Sequence, residues 1–442
     1  MIFSSFEFFL FFGIFLVFLI LLPNYQKTII IIFSLFFYSY WNFYFSSLIL
    51  YYCFATFFLL KKNYPLKISI TFILLPLIYF KYSFFIIKLI GLENFISFTY
   101  LGELPLAISF ITFTAIAVLV DRKNYSNEGI KLTSLSEYFL YFPQLIAGPI
   151  LRLNELLPQL KFKIKFNKEN IKFGLLLFII GFIKKVYFAD NIAEFIDPFF
   201  ENPSFENNGD LIKAFLLFPI QIYFDFSGYV DMALGISTIC GINLPINFNK
   251  PYLTQSLTEF WRCWHITLSS FFRDYVYIPL GGSKKNNLTT NKNLIITMCI
   301  AGLWHGSSLN FVLWGFLNGI IMCIEKIFNF HISKKNFIRC IINCFIIFNL
   351  WIVFRIGEFS IMYEYFTLLY SNILSVLKLD NLLTLIFCVT MIYSQKFDNF
   401  DSLKILSTKI KLPILIPFII IILIIGFSLS LGQSEKFIYF QF

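Results

Sequence analysis

Histidine is almost absent from this sequence, with three residues in 442. Charge is scarce too: 14% of residues are charged, against roughly 25% in soluble globular domains. That deficit excludes a water-soluble fold. The eight cysteines include no C-x-x-C pair, which argues against a disulfide framework. Cys263 and His265 are two positions apart, roughly 200° around a helix, and cannot share a metal. Cys340 and Cys344 fall on one helix face with no histidine or carboxylate beside them and are read as packing. No repeat relates the two halves of the chain, which speaks against an inverted-repeat transporter.

What is present is apolar, at 58% of the residues. At about 20 apolar residues per span, the chain has room for on the order of ten helices. The 62 phenylalanines are read as the imprint of an AT-rich genome. The opening MIFSSFEFFLFFGIFLVFLILL has no basic n-region, and Pro23 and Asn24 follow it rather than a small-residue cleavage site. It is expected to remain as a first span. The net charge of +10 is assigned to topology, since Lys and Arg concentrate in cytoplasmic loops. Lys27, the 61–67 loop, Arg122 with Lys123, and the stretch from Arg152 to Lys172 would lie inside. Loops carrying Glu93, Glu103, Asp197, Glu201, Glu206 and Asp210 would lie outside. The alternation is consistent with an outward-facing N-terminus.

Expected spans are 5–22, 28–45, 46–60, 67–90 and 104–120, read as a lipid-facing wall, and later 338–356, 360–377, 381–395 and 411–431. Between about 140 and 320 the pattern is interrupted by Pro143, Gly148, Pro149, Gly228, Gly235, Pro245, Pro251, Pro279, Gly281, Gly282, Gly302 and Gly306. Broken helices persist in a bilayer only where protein or a water-filled cavity satisfies their backbone. The middle region is therefore the expected site. The chain is read as one all-α polytopic membrane domain, 1–442, with N-terminal spans (1–120), a catalytic core (121–330) and C-terminal spans (331–442).

Three stretches carry chemistry. In QIYFDFSGYVDMALG (221–235), Asp225 and Tyr229 share a helix face. A carboxylate at mid-bilayer is costly unless paired or wetted, so Asp225 is either a site residue or one half of an ion pair with an arginine. In EFWRCWHITLSSFFRDYVYIPLGG (259–282), a helix would stack Trp261, His265 and Ser269, and Ser269 would fix the imidazole tautomer. A Ser–His nucleophile is the lesser reading, because no oxyanion turn or acidic orienter stands beside it. Lys284 and Lys285 follow on the inner side. In AGLWHGSSLN (301–310), His305 follows Trp304 as His265 follows Trp264. Gly302 and Gly306 are expected to clear space for a ligand to approach the ring. An imidazole is the side chain whose ordinary pKa allows it to take and return a proton near neutral pH. The alternative is a satisfied core histidine. His331, in a lysine-flanked loop, is assigned no role.

The stretches YFPQLIAGPILR (141–152), GFIKKVYFADNIA (181–193), YFDFSGYVDMALGIS (223–237), LPINFNKPYLTQSLTEFWRCWHITLSSFFRDYVYIPLGG (244–282) and GLWHGSSLNFVLWG (302–315) resemble, in order, the membrane-bound O-acyltransferase family. They are most similar to its alginate and peptidoglycan O-acetylation branch. The resemblance implies a helical barrel or funnel with re-entrant helices and roughly 10–12 spans. It implies that His305 is the family's catalytic histidine and His265 its second polar position. It further implies that acetyl-CoA is the cytoplasmic donor and that the acceptor lies outside, commonly a separate SGNH-type transferase acting on an envelope glycan. Cys263 stands where the family usually has a second arginine before the Trp-His pair. The shorter C-terminal region tilts the acceptor toward peptidoglycan over an alginate-like polysaccharide.

Asp225, Tyr229, Ser269, Trp264, Trp304, Gly306 and Asn310 are expected to support or line the site, and Arg262, Arg273 and Arg152 to contact the donor. No metal or bound cofactor is expected. The location expected is a bacterial cytoplasmic membrane. Rivals are D-alanyl transfer to teichoic acid, a proton-coupled transporter with His305 in its relay, and a non-catalytic scaffold.

Overall fold

The structure, a computed structural model, describes residues 1–91, 104–124, 130–146, 148–161, 163–203, 208–284, 286–328 and 336–429. Glu93, Glu103, Glu206, Lys285 and His331 lie outside the described residues. Among those described, the chain is helical without a strand. Among the described residues, six helices are long and apolar enough to cross a membrane, and four shorter apolar helices accompany them. The protein is an all-α multi-pass membrane protein.

Helix Phe6–Leu21 shows how such a sequence sorts its faces. Ser5 opens it by accepting a hydrogen bond from the Phe8 amide at 3.3 Å. Phe8, Phe11, Phe15 and Leu19 are buried, while Leu10, Ile14, Val17 and Leu21 are exposed. Both faces are apolar, so the 3.6-residue period separates protein contact from lipid contact rather than core from water. The early and late spans follow this pattern. In Leu66–Leu89 only 11% of the apolar window is buried, and in Leu412–Leu429 only 17%. Helix Asp210–Ile239 is the opposite, with 89% buried. Gly228 and Gly235 do not interrupt it; they are points of close packing. A Cβ on Gly235 would meet the Gly174 carbonyl oxygen at 2.6 Å, and one on Gly228 would meet the Gly181 carbonyl oxygen at 2.7 Å.

The chain divides into two compact units. The first comprises Met1–Phe178 and Tyr229–Pro245. Its core is a phenylalanine cluster in which Phe142 meets Phe11 and Phe15 edge to face at 5.4 and 5.2 Å. Such pairs contribute about 0.5–1.5 kcal/mol each beyond the area they bury. Two of its buried hydroxyls are tied across elements: Tyr52 Oη with Thr112 Oγ1 at 2.6 Å, and Tyr38 Oη donating to the Leu106 carbonyl at 2.9 Å. Tyr229 belongs here, stacked on Phe3 at 4.6 Å. Arg152 is here too, and its amide donates to Glu155 Oε2 at 2.8 Å at the start of helix Leu153–Leu160.

The second unit comprises Ile179–Gly228 and Ile246–Phe442. It contains both Trp-His pairs. Its tightest element pair is Asn287–His305 against Leu309–Ile327, joined by a short turn. Asn286 caps the first helix by accepting from the Thr289 amide, and Ser308 caps the second by accepting from the Asn310 amide. A Cβ on Gly302 would sit 2.0 Å from the Phe311 carbonyl oxygen, and one on Gly306 would sit 2.0 Å from the Phe311 ring. These glycines were expected to clear space for a ligand. Instead, Phe311 fills that space and the two helices touch there.

Candidate active site

The first Trp-His pair does not lie on a continuous helix. Helix Leu257–Cys263 stops, Trp264 is extended, and His265 takes a left-handed conformation with φ 43° before helix Ile266–Phe272 begins. A left-handed histidine costs energy and persists only where the surroundings impose it. Here Asn247 and Asn249 impose it. The Ile266 amide donates to the Asn247 carbonyl at 3.0 Å, and the Asn249 amide donates to the Cys263 carbonyl at 2.9 Å. Asn247 Oδ1 accepts from the Thr267 amide at 3.1 Å and from Thr267 Oγ1 at 2.7 Å. At the other end of helix Leu257–Cys263, the Glu325 carboxylate accepts from the Leu257 and Thr258 amides and from Thr258 Oγ1. A carboxylate at a helix N-terminus is favoured by the unpaired amides and the helix dipole. The kink therefore separates Ser269 from the helical stack expected for it. Ser269 Oγ donates to the Trp264 carbonyl at 3.2 Å.

Tertiary structure interleaves the two pairs. The His265 ring packs edge to face on Phe226 at 4.7 Å and reaches Trp304 at 6.3 Å. Trp304 in turn lies 4.8 Å from His305. His305 is the last residue of its helix and is further bounded by Trp314 at 5.3 Å and Phe354 at 5.1 Å. Both imidazoles are buried, His265 completely and His305 with 6% exposure. Trp264 turns the other way, into an aromatic core with Phe260, Phe248 and Trp351, the last at 4.9 Å.

Helix Leu309–Ile327 presents Asn310, Trp314 and Asn318 at four-residue spacing, on one face, and all three are buried. Asn310 Nδ2 donates to the Ile356 carbonyl at 2.6 Å, tying the turn after His305 to the end of helix Phe337–Arg355. Asn318 accepts from Trp261 Nε1 at 3.0 Å and donates to the Trp314 carbonyl at 2.8 Å.

Asp225 is in an ion pair, but with a lysine rather than the arginine expected. Lys185 Nζ stands 2.8 Å from Asp225 Oδ1 and 2.6 Å from Asp190 Oδ1. Its neighbour Lys184 stands 2.6 Å from Asp398, which also accepts from Tyr223 Oη at 3.0 Å. Both lysines lie in a π-helical turn, Ile183–Ala189, within an otherwise α-helical run. Widening the helix changes the angle between adjacent side chains and brings both inward, a use typical of such turns. Phe226 follows Asp225 directly and carries the contact to His265, so this charged cluster anchors one wall of the histidine site. Tyr229 lies four residues on from Asp225 in the same continuous helix, Asn208–Ile239, as expected, and falls within the first unit.

Of the arginines expected at the donor, Arg262 is exposed. Arg273 is paired with its neighbour Asp274 through Nε at 2.7 Å and Nη2 at 3.2 Å. No group of three or more His, Cys, Asp or Glu side chains able to hold a metal is found among the described residues.

Lys184, Lys185, Asn247, Trp314, Asn318 and Glu325 were not singled out from sequence. For the lysine pair there was a signal: adjacent lysines in an apolar run with an acid, Asp190, five residues beyond Lys185. For the other residues the sequence offers none, because their partners lie tens of positions away.

The family described as MBOAT, membrane-bound O-acyltransferase, matches residues 8–365. Over 378 residues the chain is 36% identical to the peptidoglycan O-acetyltransferase of Helicobacter pylori, covering 75% of this chain and 71% of that protein. It is 39% identical over 273 residues to a Pseudomonas fluorescens protein named "Probable alginate O-acetylase AlgI", covering 61% of this chain and 54% of that one. Similarity to the teichoic acid D-alanyltransferase of Streptococcus thermophilus is lower, 27% over 237 residues, or 50% and 56% of the two chains. The chain thus spans about half to seven-tenths of the length of these relatives.

Proposed function

The chain belongs to the membrane-bound O-acyltransferase family, and from that premise we propose that it moves an acetyl group from cytoplasmic acetyl-CoA to a hydroxyl acceptor on the far side of a bacterial cytoplasmic membrane. The observation that carries the proposal is the meeting of His265 and His305, far apart in the chain, on the two sides of Trp304.

His305 acts as general base. It takes the proton from the acceptor hydroxyl as the oxygen attacks the thioester carbonyl carbon. The carbon–sulfur bond breaks, and the departing CoA thiolate takes the proton back from the imidazolium. General-base assistance of this kind contributes ~10²–10⁴-fold, and holding donor and acceptor against one ring contributes further through orientation. His265, fixed by its kink and by Phe226, polarises the donor. Arg262, exposed next to that kink, is the cation offered to the CoA phosphates. The acceptor is a secreted or membrane-anchored SGNH-type transferase that passes the acetyl group to an envelope glycan. Peptidoglycan is favoured because the H. pylori peptidoglycan O-acetyltransferase matches over the longest stretch of the relatives described.

Proteoliposomes given acetyl-labelled acetyl-CoA on the donor side and an SGNH-type acceptor on the other test this directly. Label appearing covalently on the acceptor supports acyl transfer. Label crossing as free solute indicates a transporter instead, and label transferred only from a D-alanyl carrier protein indicates the teichoic acid reaction.

A further inference from the structure

Three indole rings packed together beside His305, those of Trp261, Trp314 and Trp351, differ in one respect. Trp261 Nε1 donates to Asn318 Oδ1 at 3.0 Å, and Trp351 Nε1 donates to Tyr252 Oη at 3.1 Å. Trp314, whose ring lies between those two and against His305, is 1% exposed. Its Nε1–H nevertheless has no acceptor among the described residues. Buried indole N–H groups normally find a partner. The helix is not short of acceptors that could have been placed for it: Asn318, one turn away, spends its oxygen on Trp261 instead. An indole is donor only. A donor held dry, beside the general base and without a protein acceptor, is the arrangement that stabilises an oxygen whose negative charge grows during acyl transfer.

We propose that Trp314 is a catalytic residue whose indole N–H donates to the carbonyl oxygen of the acyl group as His305 promotes attack on its carbon. The oxygen gains charge when the hydroxyl adds and loses it when the thiolate leaves. The hydrogen bond strengthens and then relaxes without moving a proton. The inference rests on the acetyl-transfer role proposed for His305. The other polar groups on this face do not substitute, because the Asn310 amide already donates to the Ile356 carbonyl and the Asn318 amide to the Trp314 carbonyl.

Two variants test it in the proteoliposome assay: Trp314→Phe, and Trp314 replaced by β-(3-benzothienyl)alanine, which keeps the bicyclic shape and puts sulfur where the N–H stood. Loss of one such donor costs ~10²–10³-fold in kcat. Both variants are expected to show a loss of that order, with the KM for acetyl-CoA near wild type and the benzothienyl protein unfolding at the wild-type temperature. If Trp314→Phe fails to insert because the ring is smaller, the benzothienyl protein alone decides. Wild-type kcat in the benzothienyl protein overturns the proposal, and so does a loss that appears only in KM. His305→Ala run alongside separates the two claims. If that variant transfers acetyl like the wild type, the role of His305 falls and this inference falls with it. If His305→Ala is inactive while the benzothienyl protein is fully active, only the role of Trp314 falls.

Discussion

His265 and Trp304 belong to different Trp-His pairs, yet their rings meet at 6.3 Å with an interplanar angle of 67°. The contact links a kinked segment to the end of a long helix. It brings two sequence motifs together, and the consequences of breaking each part of it differ.

His305→Ala removes the proposed base while deleting a ring bounded by Trp304, Trp314 and Phe354. The variant is expected to insert and to lose acetyl transfer by at least ~10²–10⁴-fold, the range for general-base assistance. Labelled transfer in proteoliposomes, paired with the amount of inserted protein, measures both. Normal glycan acetylation in a strain carrying the variant would exclude His305 from the reaction.

His265 separates conformation from chemistry. Its φ of 43° is tolerated by glycine and asparagine and resisted by alanine. His265→Asn and His265→Gly are therefore expected to keep more folded protein than His265→Ala, although all three lose the imidazole and its activity. Thermal unfolding of the three in detergent gives the order. Equal stability would mean that the kink does not constrain this position.

The lysine-centred cluster predicts an asymmetry. Lys185→Met leaves the buried Asp225 and the partly exposed Asp190 without the lysine they share, whereas Asp225→Asn leaves Lys185 still paired with Asp190. Stranding buried charge costs about 3–5 kcal/mol. Lys185→Met is expected to depress membrane yield strongly and Asp225→Asn only modestly. Loss of activity from Asp225→Asn at full yield would instead give Asp225 a direct role in the site.

The two glycines flanking Trp304 and His305 are expected to fail differently. Alanine at 302 collides with the Phe311 backbone carbonyl, while alanine at 306 collides with the Phe311 ring. Adding Phe311→Ala should restore yield to Gly306→Ala and not to Gly302→Ala, since a side chain can be removed and a helix backbone cannot. Rescue of both, or of neither, would contradict the packing described for this helix pair.

Membrane character, helical class, four of the six described helices long and apolar enough to cross a membrane, and the candidate status of His265 and His305 were legible in the sequence, whereas Asp210–Ile239 and Leu309–Ile327 were not among the expected spans. Apolar runs of bilayer length have few other outcomes, and scarce ionisable residues within them stand out on cost alone. The ordered motifs also carried the family. Where the local pattern misled, the cause was a partner distant in sequence. The spacing of Trp261, His265 and Ser269 suggested an unbroken helix, but the Asn247–Asn249 strip breaks it at His265. Gly302 and Gly306 suggested open space, but Phe311 occupies it.

The sequence by itself determined that this chain lives in a membrane and that two scarce imidazoles in apolar stretches are the candidates for its chemistry. Hydropathy and residue scarcity are local properties, and they survive any arrangement of the helices. Tertiary structure alone decided that Trp304 stands between those imidazoles, that a lysine rather than an arginine answers Asp225, and that Trp314 keeps a buried donor with no acceptor among the described residues. Each of these depends on which helix faces meet, and that is set by packing and long-range hydrogen bonds that no spacing along the chain records.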